Sequence, residues 1–178
     1  ALVHLQGGEG RAAPIAQLLR FGGRDLSHSG QALRTATVLG KAGLAIGGRD
    51  IDRWIAAALA AQLEGADPHD PALLAACEQL KCRLSDQDEA LSLWSSQPEA
   101  PAQALTFNRG QLEALLEERG LPQVLDQLLQ QVLASARASG VESDQIDAVL
   151  PVGGSSRIPF IRHWLAERLP RVPLRGER

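Results

Sequence analysis

Basic excess is missing from this 178-residue sequence: 18 Lys and Arg stand against 21 Asp and Glu, for a formal net charge of −3. Binding along a phosphate backbone draws on clustered cations, so a nucleic acid is excluded as the main partner. Long hydrophobic runs are missing too. The longest near-apolar stretch, residues 54–63, has about half of the roughly 20 residues that a membrane-spanning helix needs. Cysteine is scarce, and Cys77 and Cys82 stand five apart in a helical-looking stretch. Side chains at that offset diverge, which disfavours a disulfide, and reduced thiols fit a cytoplasmic setting. No charged-then-apolar leader is visible, so secretion is not indicated. Methionine is absent altogether. With the opening Ala1-Leu2-Val3 and the abrupt close Arg175-Gly176-Glu177-Arg178, this points to a piece of a longer protein.

What is present is ordinary globular composition, 44% hydrophobic and 22% charged, enough for one domain or two small lobes. Residues 2–5 read as a short strand. Residues 9–31 have weak periodicity, with two helical turns over 15–21 stopped by Gly22-Gly23. The β-branched segment 35–39 reads as a strand. Ile51, Ile55, Leu59 and Leu63 recur every four residues and predict an apolar helix face ended by Gly65-Ala66-Asp67-Pro68. A second helix is expected over 71–84, then a hairpin of strands 90–94 and 103–107. Asn108 is placed to cap a helix carrying Leu112, Leu115 and Leu116. A longer helix, lined by Leu121, Leu125, Leu128, Leu129, Val132 and Leu133, ends at Gly140. The run 147–152 is expected as a strand feeding Gly153-Gly154, followed by a helix with Ile161, Trp164, Leu165 and Leu169. A strand, a glycine turn and a helix form a unit that often meets a nucleotide. No internal repeat is present.

Two constellations carry chemistry. In the segment 152–159, Gly153 and Gly154 allow a sharp turn and close approach of a flat ligand. Ser155 or Ser156 is placed to cap the following helix, and Arg157 favours an anionic or π-rich partner. From spacing alone, a plain strand-to-helix turn is the favoured reading of these residues over a ligand site. In the second, Glu78, Lys81, Cys82 and Ser85 have offsets of 0, 3, 4 and 7 and so share one helix face. That face suits sugar hydroxyls and a polar base edge; the alternative is a surface Glu78–Lys81 pair. Metal and nucleophile readings are weaker. His4, His28, His69 and His163 are scattered, with no cysteine at ligand spacing. Neither a nucleophile elbow nor a lysine-bearing phosphate loop occurs. Asp50 and Asp52 follow Gly47-Gly48, where helix-dipole complementation explains acids without a metal.

Four segments in order across residues 41–170 resemble the ATPase domain of the seventy-kilodalton heat-shock (DnaK-type) chaperones. Ile46-Gly47-Gly48-Arg49-Asp50-Ile51-Asp52 is similar to the family's L-G-G-E-D-F-D, and residues 76–85 (ACEQLKCRLS) to its A-C-E-x-A-K-x-x-L-S. Residues 106–113 (TFNRGQLE) resemble I-T-R-x-x-F-E, and residues 147–159 (DAVLPVGGSSRIP) resemble D-x-V-x-L-V-G-G-S-T-R-I-P. The first 40 residues carry no such motif. The resemblance implies a mixed α/β, actin-like ATPase lobe: a partial sheet with packed helices plus a helical and hairpin subdomain. Residues 1–46 and 117–178 would be a partial inner subdomain of the second lobe, and 47–116 the outer subdomain.

It further implies an adenosine site at Glu78, Lys81, Cys82, Ser85, Gly153, Gly154, Ser155, Arg157 and Ile158, with no catalytic or metal residue among them. The implied cofactor of the full-length protein is ATP or ADP with Mg²⁺. Implied partners are a nucleotide-exchange factor, a J-domain co-chaperone and client peptides, with no nucleic acid and no membrane. Three departures stand out. Cys82 occupies a position where some members have an arginine that stacks on adenine, Arg49 replaces a usual glutamate, and residues 9–34 resemble an enlarged loop. The family's phosphate-binding loops have no counterpart in the sequence, so this chain alone is expected not to turn over ATP. A rival reading is a non-catalytic docking module that has lost nucleotide binding. Filament-forming actin-fold proteins share the glycine turn but not the 76–85 motif.

Overall fold

The computed structural model describes residues 1–7, 20–21, 24–25, 34–97 and 99–175. The chain divides into two compact units, Ala1–Ala42 with Leu129–Glu142, and Gly43–Leu128 with Ser143–Arg178.

In the first unit, β1 (Leu2–Gly7) is followed by the two-residue strands β2 (Arg20–Phe21) and β3 (Arg24–Asp25), and by β4 (Arg34–Gly40). β1 pairs antiparallel with β4, placing Val3 opposite Val38 and Leu5 opposite Ala36. Both expected strands are present. The helical turns expected over 15–21 fall mostly outside the described residues; Arg20–Phe21 pair with Arg24–Asp25 as strands. The glycine stop and most of the loop expected over 9–34 also lie outside them. Gly40 ends β4 against the helix segment of this unit. A Cβ there would lie 2.5 Å from the Val132 carbonyl oxygen, so only glycine permits this approach. The helix ends in a reciprocal carbonyl-capping arrangement. Val141 N–H donates to the Ala136 carbonyl at 3.0 Å and Gly140 N–H to that of Arg137 at 2.9 Å, with Gly140 at φ 82°.

The second unit holds most of the core. Its helices α1 (Gly48–Ala60) and α2 (Pro71–Leu84) precede the hairpin β5 (Glu89–Trp94) and β6 (Gln103–Asn108), then α3 (Arg109–Glu118). Helix α4 (Leu121–Ala138) contributes residues 121–128 here and the remainder to the first unit. Helix α2 begins where it should. Asp70 accepts from Ala72 N–H at 3.0 Å and from Trp94 Nε1 at 2.7 Å, and Pro71 at the first helical position sacrifices no bond. Asn108 Oδ1 accepts from Gln111 N–H at 2.8 Å while Gln111 Oε1 accepts from Asn108 N–H at 2.9 Å, a reciprocal cap for α3. Ala90, Ser92 and Trp94 alternate inward along β5 and face Leu105 and Phe107 of β6 in one buried layer. Ile55, Leu73, Leu80, Leu84, Leu112 and Leu116 are fully buried and make the centre of this core.

Two expectations are corrected. Helix α1 stops at Ala60, before Gly65, because Gln62 N–H turns to the Leu59 carbonyl and tightens the chain into a turn; Leu63 packs from beyond the helix. The long helix is present as expected, and of its apolar stripe Leu121 is buried while Leu125, Leu128, Leu129, Val132 and Leu133 are half-buried. Residues 147–152 form no strand: Val149 makes one isolated parallel bridge to Leu174, while Leu150 and Val152 remain exposed. Pro151 has no N–H to extend a ladder, and one bridge supplies no neighbouring strand.

After a short turn, Gly154–Arg157, helix α5 (Pro159–Arg168) returns to α4. Asp126 Oδ1 accepts from Arg168 Nε at 2.7 Å and from Trp164 Nε1 at 3.0 Å, and Oδ2 accepts from Arg168 Nη2 at 3.0 Å. The Arg168 bonds, with a further contribution from Trp164, hold the Asp126 carboxyl below its ordinary 3.8. A depressed folded value makes this contribution complete above 3.8 and lost as pH falls through the folded value. Asp126→Asn is therefore expected to be less stable than the parent at neutral pH, with the gap closing below pH 3.8. Urea unfolding across that range checks it; a gap independent of pH contradicts the assignment.

Candidate functional site

Within the second unit, three segments face an open cavity of about 540 Å³, within the range of small-molecule sites. Helix α1 brings Gly48, Arg49 and Asp52 from its first turns. Helix α2 brings Glu78, Lys81, Cys82 and Ser85, the face that the 3–4 spacing predicts, with Asp86 just beyond. The third wall is Gly154, Ser155, Arg157 and Ile158. Eight of the nine residues expected at the site thus share one cavity, although the two motifs are about 70 residues apart in sequence. Gly153 is the exception. It adopts φ 89°, a conformation that favours glycine, and turns the backbone into the wall without lining it.

The α1 terminus comes very close to both other segments. Lys81 Nζ donates to the Gly48 carbonyl at 2.9 Å and lies 2.6 Å from Asp52 Oδ1. The latter is an ion-pair contact whose angles are not those of a directed hydrogen bond. A Cβ on Gly48 would lie 3.2 Å from both Lys81 Nζ and Ser155 Oγ, so a small residue lets the three segments converge. Lys81 pairs with Asp52 instead of the surface partner Glu78 that its spacing allows. The two acids near Gly47 divide their work. Asp50 Oδ2 accepts from Gly47 N–H at 2.8 Å and caps α1, whereas Asp52, two residues on, faces inward. Burial raises the Asp52 carboxyl above 3.8; Lys81 opposes this, Glu78 adds to it and Arg49 opposes it.

The serines do not cap α5. Ser156 Oγ folds back to the Gly153 carbonyl at 2.7 Å, and Ile158 occupies the N-cap without a side-chain bond. Proline at the next position removes one orphan donor, which explains why the helix starts without a polar cap. Arg49, Lys81 and Arg157 balance Asp52, Glu78 and Asp86 around the cavity. Such a lining favours a polar ligand of low net charge over a bare polyanion. Gly48, Arg49, Asp52 and Asp86 were not among the expected site residues. Asp52 and Gly48 belong to the glycine-acid segment, but its acids are indistinguishable from helix-capping ones until the fold is seen. Among the described residues no group of three or more His, Cys, Asp and Glu converges to hold a metal. No described helix is long and apolar enough to cross a membrane.

Residues 37–176 match the family model described as Hsp70 protein, and the chain belongs to that family. The mixed α/β architecture is accordingly part of the actin-like fold of the family's ATPase domain. The chain is 32% identical over 134 residues to a chaperone protein HscA homolog of Acidithiobacillus ferrooxidans, covering 73% of this chain and 20% of that protein. It is 34% identical over 138 residues to the HscA homolog of Vibrio cholerae, with the same coverage. Against the chaperone protein dnaK1 of Prochlorococcus marinus the identity is 31% over 105 residues, 57% of this chain and 15% of that one. The matched region spans about a fifth or less of these relatives.

Both cysteines are free, as their spacing predicts. Cys77 is buried in the core, and burial first, then the Asp52 charge, pushes its thiol up to about 12. Cys82 is exposed at the cavity. A thiol-specific alkylating reagent is expected to label native Cys82 and spare Cys77 until the protein unfolds. Peptide mapping by mass spectrometry checks this, and native labelling of Cys77 would contradict it.

Proposed function

We propose that this chain forms the adenosine-holding side of an ATP/ADP cleft in a DnaK-like chaperone ATPase. The convergence of the 78–85 helix face and the 154–158 turn on one charge-balanced cavity is the observation that carries the reading. The donor and acceptor set fits a nucleoside. The Glu78 carboxylate is an acceptor for ribose hydroxyls, Lys81 and Ser85 are donors beside it, and Cys82 lies at the base edge. Gly154 has no atoms within 4 Å of where a Cβ would stand, so the backbone there offers an open floor for a flat ring. Among the described residues the Arg157 side chain has no hydrogen-bond or ion-pair partner, and it lines the cavity, available to place its guanidinium over the ring face.

The nucleotide, when bound, supplies the γ-phosphoryl group, whose transfer requires in-line positioning and Mg²⁺. The described residues do not offer a fitting magnesium cluster, and no cavity residue is assigned to the phosphoryl step. The thiol of Cys82 supplies less stacking surface than an arginine, so base affinity is expected to be modest. We further place 47–116 as the outer subdomain and 1–46 with 117–178 as the inner one. The exchange factor, J-domain co-chaperone and client peptides are assigned to the full-length protein, in the cytoplasm and in the stress response. A docking module without nucleotide is the second reading; the Arg49 and Cys82 substitutions favour it.

Calorimetric titration of adenosine, Mg-ADP and Mg-ATP into this chain and into the full-length protein tests the proposal. For this chain we expect adenosine and ADP to bind about equally, with a roughly millimolar Kd worth about 4 kcal/mol, and Arg157→Ala to abolish it. Full-length protein that binds none of the three ligands would overturn the adenosine reading and leave the docking module.

A further inference from the structure

Lys81 combines two properties that conflict in an isolated lysine: its side chain lines an open cavity, yet the residue is only 9% exposed. A flexible ammonium normally turns to water, and an unpaired buried one carries a large desolvation cost. Two groups on α1 resolve the conflict. The Gly48 carbonyl takes one N–H at 2.9 Å, and the Asp52 carboxylate sits 2.6 Å away. Asp52 is itself only 6% exposed, and Lys81 is the basic side chain with which it pairs. An ammonium has three donors; the Gly48 carbonyl takes one, and even with a second turned toward the Asp52 carboxylate at least one remains for a ligand.

We infer that Asp52 is a positioning residue: with the Gly48 carbonyl it holds the Lys81 ammonium so that its remaining N–H is presented to a nucleoside hydroxyl in the cavity. The choice of ligand rests on the adenosine reading; the fixing of Lys81 does not. Asp52 need not touch the ligand. Four rotatable bonds give lysine many alternative conformations, and the pair on α1 removes most of them before binding, reducing the ordering cost. A plain α1–α2 staple would show the same distances but would impose no coupling between Asp52 and ligand affinity through Lys81.

The test uses Asp52→Asn, Lys81→Met and the double variant in the full-length protein. The first readout is the acetylation rate of the Lys81 amine by an N-hydroxysuccinimide ester, followed by mass spectrometry, which needs no bound ligand. Asp52→Asn is expected to raise that rate by about tenfold or more as the amine leaves its buried seat. The second readout is adenosine affinity. It is expected to fall about tenfold in Asp52→Asn, whereas the same substitution in the Lys81→Met background changes it less than about twofold.

An unchanged Lys81 acetylation rate, or an equal loss of affinity in both backgrounds, would overturn the inference. If Asp52→Asn does not fold, Asp52→Glu keeps the charge while displacing it, and an unaltered acetylation rate there overturns the inference too. Should the parent protein not bind adenosine while Asp52→Asn still frees Lys81, the adenosine reading fails and the positioning of Lys81 stands.

Discussion

The Lys81 ammonium lies between two helices that are joined by a ten-residue loop, and its place there controls how the cavity is shaped. The Gly48 carbonyl and the Asp52 carboxylate hold it from α1, while its own helix supplies Glu78, Cys82 and Ser85 to the same wall. Both members of the pair are largely removed from water. Their attraction therefore works against a substantial desolvation cost, visible in the raised Asp52 carboxyl. Such a pair is a weak source of stability but a strict constraint on geometry: each charge is tolerable only while the other stays in place. Gly48 completes the constraint, since a side chain there would crowd both Lys81 and Ser155.

The hydrophobic core makes that constraint rigid. Leu73, Leu80 and Leu84 anchor the opposite face of α2 in the core that Ile55 of α1 shares, so the 78–85 face is directed away from it. Trp94 adds a second attachment. It packs beneath the hairpin and donates to Asp70, the residue that starts α2, so the sheet and the helix cap share one carboxylate. Ile158 does the same for the third wall, being buried in the core while its neighbours Ser155 and Arg157 face the cavity. Each segment of the site thus has a buried residue within a turn of its exposed polar ones. The cavity depends on packing already required for folding.

Much of this is legible in the amino-acid sequence. Asp70-Pro71 sets the start of α2, Asn108 with Gln111 that of α3, and the alternation in 89–94 and 103–108 the hairpin, because each is a local preference that the core reinforces. The run 147–152 misleads for a complementary reason: apolar composition nominates a strand, but a strand exists only through neighbours, and Val149 finds just one bridge. At the site, the 78–85 face follows from helical spacing alone. Its meeting with 154–158 does not, since nothing local encodes contact across some 70 residues; only the family resemblance anticipated it. Asp52 was hidden by Asp50. Two acids near a helix start look alike in sequence, and only the fold separates the capping carboxylate from the buried one.

The most direct test of the central claim is to locate bound adenosine by amide chemical-shift mapping in ¹⁵N-labelled protein. The account predicts saturable shifts concentrated on Glu78, Lys81, Cys82, Ser85, Gly154, Ser155, Arg157 and Ile158, with Leu91 and Leu93 on the exposed face of the hairpin unaffected. Shifts centred on that face, or none that saturate around the cavity, would contradict it.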